Sequence, residues 1–225
     1  MKTFSHFLEQ LEALEWKHVG KFDPNVLAIL AEVGRQPDLV HDTVNSWSVK
    51  GLEKRQLSCH ETATHYKWFL HYHEEQRFKV WLHQYKPASE RRLGYAEIPH
   101  NHRYSLASVI LSGSFVHHHF ERTDGVLAES ESARRSYRAG DAYTVSWEEV
   151  HKLSDIDDRT FTLVVESRPV RHFSEAYYTV SAGPVVFRDF VGLHPRLAEE
   201  MRLIVDAGRS IPSDLSLDPP HEFRR

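Results

Sequence analysis

The hydrophobic period changes between the ends and the middle of this chain, and that change restricts the fold more than any other feature. From Phe4 to about Trp47 the apolar residues recur at helical spacing: Phe4, Phe7, Leu8, Leu11 and Leu14, then Val26, Leu27, Ile29, Leu30 and Val33. Asp23 followed by Pro24 reads as an N-cap and a first-turn proline, which fixes a helix start there. A shorter helical pattern runs from about Pro195 to Val205, with Leu197, Met201, Leu203 and Ile204 for burial and Glu199 and Glu200 toward water. Between these ends lie short segments rich in β-branched and aromatic residues, broken by Gly, Pro, Asp and Ser. They include Phe78 to Leu82, Ser108 to Leu111, Ser114 to Val116, Ala142 to Val145, Phe161 to Val165 and Tyr177 to Val180. Such spacing predicts an antiparallel barrel or sandwich.

No internal repeat and no Gly/Ser-rich linker divides the chain. The expectation is a helical N-terminal extension over residues 1–57 packed on a β-barrel over 58–190, then a short C-terminal helix and tail over 191–225. The stretch after Ile211 is polar and proline-containing, and is expected to be loosely held. A hydrophobic fraction of 40% and a charged fraction of 27% are ordinary for a globular protein and give no support to a disordered or coiled-coil chain. A net charge of −4 offers no general attraction to nucleic acid or anionic lipid. Arg91-Arg92 and Arg134-Arg135 read as solvated surface. The single cysteine, Cys59, excludes an intramolecular disulfide framework and suits a reducing compartment. The N-terminus lacks the apolar run of a secretory signal and no stretch is long enough to span a bilayer, so a cytoplasmic location is expected.

Histidine is the anomaly: there are 17, and histidine is the commonest metal ligand. His100 and His102 precede a strand-like run, and side chains two apart on an extended backbone point to the same face. About forty residues later, Gly140 to Val145 reads as a turn into a strand, and His151 follows after a short connection. A third imidazole from a neighbouring antiparallel strand would complete a facial set of three neutral nitrogen ligands with positions left open. The competing reading is three unrelated polar residues at strand ends. His117-His118-His119 adds a second cluster in which alternation puts His117 and His119 on one face. That pair reads as exposed or hydrogen-bonded within a sheet, against a second metal site or a pocket mouth.

The first motif, His-x-His ending in Gly113, and the second, Gly140 with a hydrophobic strand and His151, together resemble the cupin superfamily. That resemblance implies a mainly β fold, a cupin-type antiparallel β-barrel or jelly roll. Many cupins carry a glutamate ligand a few residues after the histidine pair, where this chain has Arg103-Tyr104-Ser105-Leu106-Ala107. A three-histidine set without the acid resembles the thiol dioxygenases, the cysteine dioxygenase group, which use iron(II) and O₂. Further likeness lies in Ala142-Tyr143 and their spacing to His151, in Tyr66 to Leu82, and in Ser167-Arg168-Pro169, covering roughly residues 60 to 170.

The departures bear on substrate. The family commonly binds a substrate carboxylate with an arginine where this chain has Trp68, and its later strand carries Ser-x-His-x-Tyr where this chain reads Thr162-Leu163-Val164-Val165-Glu166. The thioether-forming cysteine of some members is also absent. Cysteine is therefore a poor candidate substrate. Glu166, if inward, would recognise an amine or guanidinium group or act as a general base; otherwise it pairs with Arg168 or Arg171. Trp68, Trp81, Tyr104 and Trp147 are candidate cavity walls, with core packing the alternative for each, and Tyr143 joins them as a substrate-side candidate.

The function these readings imply is a mononuclear non-heme iron(II) oxygenase that acts with O₂ on a small amine-, guanidine- or thiol-containing metabolite. The alternatives are a metal-dependent non-redox enzyme (isomerase, lyase or decarboxylase) and a non-catalytic ligand-binding barrel. A small molecule is the expected partner, with no nucleic acid and no membrane; the helical quarter closes the barrel or forms a homodimer contact.

Overall fold

The computed structural model describes residues 3–16, 22–46, 48, 58–73, 75, 77–91, 94–123, 126–180 and 183–190. The helix expected from Pro195 to Val205 lies outside the described residues.

The first quarter forms three helices, α1 (Phe4–Glu12), α2 (Asn25–Gly34) and α3 (Asp38–Asn45). Thr3 caps α1 by accepting the His6 amide at 3.1 Å. The Asp23 carboxylate accepts the Asn25 amide at 2.8 Å across Pro24, the start signal that the sequence carries. Among the described residues eleven strands follow: β1 (His60–Glu61), β2 (His65–Tyr72), β3 (Phe78–Tyr85), β4 (Leu106–Ser112), β5 (Ser114–Thr123), β6 (Val126–Arg138), β7 (Ala142–Val145), β8 (Val150–Ser154), β9 (Phe161–Ser167), β10 (Phe173–Val180) and β11 (Gly183–Phe190).

Six of these strands build one antiparallel sheet in the order β1-β2-β3-β9-β4-β7. A second sheet contains β6-β5-β8 and the hairpin β10-β11, and the short segment around His100 joins the two parts by bridging to His151 on one side and Ala176 on the other. The chain alternates between sheets, from β4 to β5 and β6, back to β7, across to β8, back to β9 and across to β10. This is an antiparallel jelly-roll arrangement, within the barrel-or-sandwich class that the strand pattern predicts.

The central strands β3, β9 and β4 of the six-stranded sheet are buried on both faces. Val80, Ala107, Val109, Leu163 and Val165 pack outward against Phe7, Leu11, Val26, Leu30 and Val33 of α1 and α2. Trp81, Tyr85, Leu106, Ile110, Tyr143, Val145 and Val164 point the other way and meet Phe115 and Leu153 of the second sheet. Double burial explains why β9 reads as a continuous apolar run rather than an alternating one. Gly113 turns β4 into β5 at φ +73°, and a Cβ there would fall 2.4 Å from Thr160 Oγ1, so only glycine fits.

Four of the described strands, β1, β2, β6 and β11, fall outside the strand segments picked out from the sequence. β6 is rich in Ser, Glu and Arg because it is an edge strand paired only with β5. The candidate signals Phe161 to Val165 and Tyr177 to Val180 mark only parts of β9 and β10, which extend to Ser167 and back to Phe173.

Candidate metal centre

The backbone does the first positioning. His100 and His151 exchange two amide-to-carbonyl hydrogen bonds, both 2.8 Å, which makes them a directly opposed antiparallel pair with side chains on one face. Asn101 points the other way and is buried. Its side-chain amide donates to Glu175 Oε2 at 2.9 Å, and its oxygen accepts the Glu175 amide at 2.8 Å and the Arg171 guanidinium. Tyr95 donates its hydroxyl to the Asn101 carbonyl at 2.6 Å, and Arg171 donates to the His102 carbonyl at 3.2 Å. The segment carrying the histidine pair is thus tied on both sides to β8 and β10.

The fold brings His100, His102 and His151 together, with one ring nitrogen from each lying within 4.8 Å of the others. The ring centroids of His100 and His102 are 4.8 Å apart, those of His100 and His151 4.4 Å, and those of His102 and His151 5.0 Å. Burial pushes the His100 imidazole down to about 4, and burial followed by the neighbouring histidines holds His102 and His151 well below the ordinary value. All three are neutral at pH 7, the form in which imidazole offers a lone pair. His100 Nδ1 lies 2.8 Å from the Ile98 carbonyl, which can only accept, so Nδ1 carries the hydrogen and Nε2 is left to coordinate.

The donor set fits a divalent cation. His102 Nε2 and His151 Nε2 face each other at 2.9 Å. Two nitrogens bound cis at right angles, each about 2.1 Å from one ion, stand roughly 3.0 Å apart. The pocket thus holds two ring nitrogens at the separation that facial coordination requires. The three histidines are the only group of three or more ligating side chains so arranged among the described residues.

Around these three histidines the other candidate residues separate clearly. Tyr104 stacks its ring on His102, with centroids 5.4 Å apart and planes inclined by 16°. Its hydroxyl hydrogen-bonds Glu166, which is buried and points into the barrel. Burial alone would raise the Glu166 carboxyl, but Lys67 Nζ at 3.0 Å and hydrogen bonds from Tyr104 and Lys67 outweigh it and hold it below its ordinary value. Its partner is Lys67, a residue that sequence reasoning missed, and neither Arg168 nor Arg171; the latter instead faces Glu175 at 3.6 Å. The reason is register: Lys67 lies on the inner face of β2, where its ammonium also rests 4.7 Å above the Trp81 ring.

The same alternation turns Trp68 outward. It is 40% exposed and donates its indole N–H to Gln84, so it does not line the site. The cation of this strand stands one position earlier, on the opposite face, and counting by twos from Phe69, which packs against the inner core, would have located it. Trp81 belongs to that inner core, and Trp147 lies beside Arg171. Tyr143 is buried 5.2 Å from the His117 ring, behind the ligands rather than among them.

His117 is not an exposed residue. It is fully buried, with Nε2 2.7 Å from Nδ1 of His151 on the neighbouring strand β8, and His119 packs against it at 4.3 Å. His65 and His83 line the same interior from β2 and β3, their rings 4.6 Å apart. A surface groove between residues 22–27 and the β7 end, bounded by Ser105, Thr144, Ser146 and Glu149, contains none of these histidines.

The sequence matches no protein-family model and no curated protein. Similar solved structures include a point mutant of Bacillus subtilis oxalate decarboxylase, at 15% identity and TM-score 0.44, over 78% of this chain and 39% of that one. Lactobacillus farciminis oxalate decarboxylase in its formate complex aligns at 17% identity and TM-score 0.37, over 50% and 31% of the two chains. The 11S globulin of Wrightia tinctoria aligns at 12% and 0.34, over 52% and 28%. The chain spans about a third of the length of the oxalate decarboxylases it aligns with. Among the described residues no helix is long and apolar enough to cross a membrane.

Single replacement of His100, His102 or His151 by Ala is expected to abolish stoichiometric metal uptake while the far-UV circular dichroism spectrum is kept. Uptake by all three variants at the parental stoichiometry would exclude this ligand set. Proton linkage gives a second expectation, for metal-free protein. Burial lowers His65 from 6.5 to about 3 and His83 well below 6.5. As pH falls through 6.5 the unfolded chain takes up protons on these rings and the folded chain does not. Stability is therefore lost on acidification, by about 1.4 kcal/mol per pH unit for each ring so held. Urea denaturation from pH 7 to pH 5, above the carboxylate range, measures it; a flat profile there is the contrary result.

Proposed function

We propose that this chain is a mononuclear non-heme iron(II) oxygenase of the three-histidine type, using O₂ on a small amine-, guanidine- or thiol-containing metabolite. The observation that carries the proposal is the ligand set itself: three neutral imidazoles, two buried and that of His102 half-buried, with no carboxylate among them. His100, His102 and His151 would hold iron(II) through three facial nitrogens, and the ion would supply Lewis acidity and relay electrons from the substrate, which is oxidised, to O₂, which is reduced. The likeness to thiol dioxygenases is a likeness of sequence motifs and supports the choice of iron over other divalent ions.

The chain's own groups have separable tasks. Buried apolar and aromatic residues, Trp81, Tyr85, Phe115 and Tyr143, keep bulk water from the interior. Tyr104, held as a phenol by burial and by Glu166, keeps its proton on the hydroxyl next to the His102 ring. Glu166 offers a carboxylate already paired with Lys67, so a cationic substrate group would reach it by exchanging with that ammonium, while Lys67 would be released toward an acidic group on the same substrate.

A non-redox metal-dependent reaction is favoured by one specific feature, the Tyr104–Glu166–Lys67 chain of exchangeable protons beside the ligands. That arrangement serves general acid-base chemistry at a Lewis-acidic centre equally well. Imidazole nitrogen also accepts manganese(II), so manganese belongs among the metals tried.

Anaerobic loading with iron(II), followed by O₂-uptake measurements over a panel of amines, guanidines and thiols, separates the two. Substrate-dependent O₂ consumption is expected, lost in His102→Ala and reduced roughly tenfold or more in kcat/KM in Glu166→Gln. Turnover that proceeds equally without O₂, or a site that takes only zinc or nickel and is silent toward O₂, sinks the oxygenase reading.

A further inference from the structure

The geometry points to His117 as a positioning residue for the metal: it fixes the tautomer and the aim of His151, so that the metal centre is set by a pair of stacked histidine hydrogen-bonding decisions rather than by its three ligands alone. This inference rests on the metal-site reading and holds whichever metal or reaction the site serves.

The contact is short and dry. His117 Nε2 stands 2.7 Å from His151 Nδ1, the rings meet edge to face at 73°, and His117 is 0% exposed. Tyr143, Tyr137 and His119 wall its ring at 5.2, 5.9 and 4.3 Å, which leaves it no room to swing away. Its second nitrogen, Nδ1, is buried with no hydrogen-bond partner among the described residues. The usual support for a ligating histidine includes a carboxylate or a backbone carbonyl, either of which can only accept. A second imidazole differs because it can either accept or donate at the contacting nitrogen.

Both rings are neutral, so each carries one N–H, and only two arrangements satisfy the 2.7 Å contact. In one, His117 Nε2–H donates to His151 Nδ1. The His151 hydrogen is then on Nε2, where it meets His102 Nε2 at 2.9 Å and occupies the lone pair that coordination needs. In the other, His151 Nδ1–H donates to His117 Nε2, the His151 Nε2 lone pair is free, and the His117 hydrogen moves to Nδ1. Coordination selects the second arrangement. No proton is gained or lost by the pair; two hydrogens change places, and the ordering reaches one residue beyond the ligand.

The second arrangement also leaves the His117 Nδ1–H without an acceptor among the described residues, a penalty that accompanies metal uptake. His117 therefore aligns the ligand but supports it less strongly than a carboxylate would. Removing the acceptor altogether releases His151 from both the aim and the tautomer.

Chelator-competition titrations with Co(II) and Zn(II) test this on the full chain, comparing the parent with His117→Phe, which keeps a ring and loses the acceptor, and His117→Gln, whose side-chain oxygen can accept in the same place. The expected result is a roughly 10- to 100-fold weaker affinity in His117→Phe with an altered Co(II) d–d spectrum, and substantial rescue in His117→Gln. Long-range ¹H–¹⁵N spectra of histidine rings in the Zn(II)-loaded parent give a readout that needs no variant: His117 is expected to be protonated on Nδ1 and unprotonated on Nε2. A folded His117→Phe variant with parental affinity, or a Zn(II)-loaded His117 protonated on Nε2, overturns the relay alone. A parent chain that binds neither ion overturns the relay and the metal centre together. None of these readouts depends on O₂ chemistry, so failure of the oxygenase reading stays distinguishable.

Discussion

The paired backbone hydrogen bonds between His100 and His151 are the constraint on which the rest of the site depends. They close a gap in the second sheet, because the segment around His100 is the piece that lies between β8 and β10. The same two bonds place two imidazoles directly opposite each other with no side-chain adjustment. Asn101 then holds the segment from its reverse face through Glu175 and Arg171, so the ligand pair is braced by a buried polar network rather than by loop conformation. A site assembled on paired backbone is held more precisely than one assembled on a free loop.

Desolvation supplies the second half of the account. Burying so many imidazoles is unfavourable for their charged form and keeps them neutral, which is the state that coordinates. It also leaves little to offset a divalent charge inside the barrel. Glu166 is a carboxylate in that interior, and Lys67 neutralises it. The resulting centre is electrically plain, with neutral imidazoles placed where they could hold a cation and, beside them, an internal ion pair. The apolar helical layer outside the six-stranded sheet contributes no chemistry, yet it allows β9 and β4 to be buried on both faces and so keeps their inner residues in fixed register.

The ligand candidates were legible in the sequence because their spacing survives folding unchanged: two histidines two apart, then one after a glycine turn and a strand. Strand positions with an apolar alternation or a doubly buried apolar run were legible for the same reason. The substrate side was not. Placing Trp68 in the cavity came from matching a position in a related motif, whereas the strand's own period turns Trp68 out and Lys67 in. The Glu166 partner lies 99 residues away in sequence, across a sheet order that no local pattern encodes. His117 was visible as part of a histidine run, but its contact with His151 depends on β5 pairing with β8, which local sequence does not show.

Three particular imidazoles are expected to hold one metal ion. Extended X-ray absorption fine structure on iron(II)-loaded protein counts imidazole ligands directly, through the outer-shell scattering of their rings. Three histidine ligands are expected in the parent and two in a His102→Ala variant that still retains iron under excess metal. A spectrum without imidazole scattering, or one unchanged by loss of His102, would contradict it.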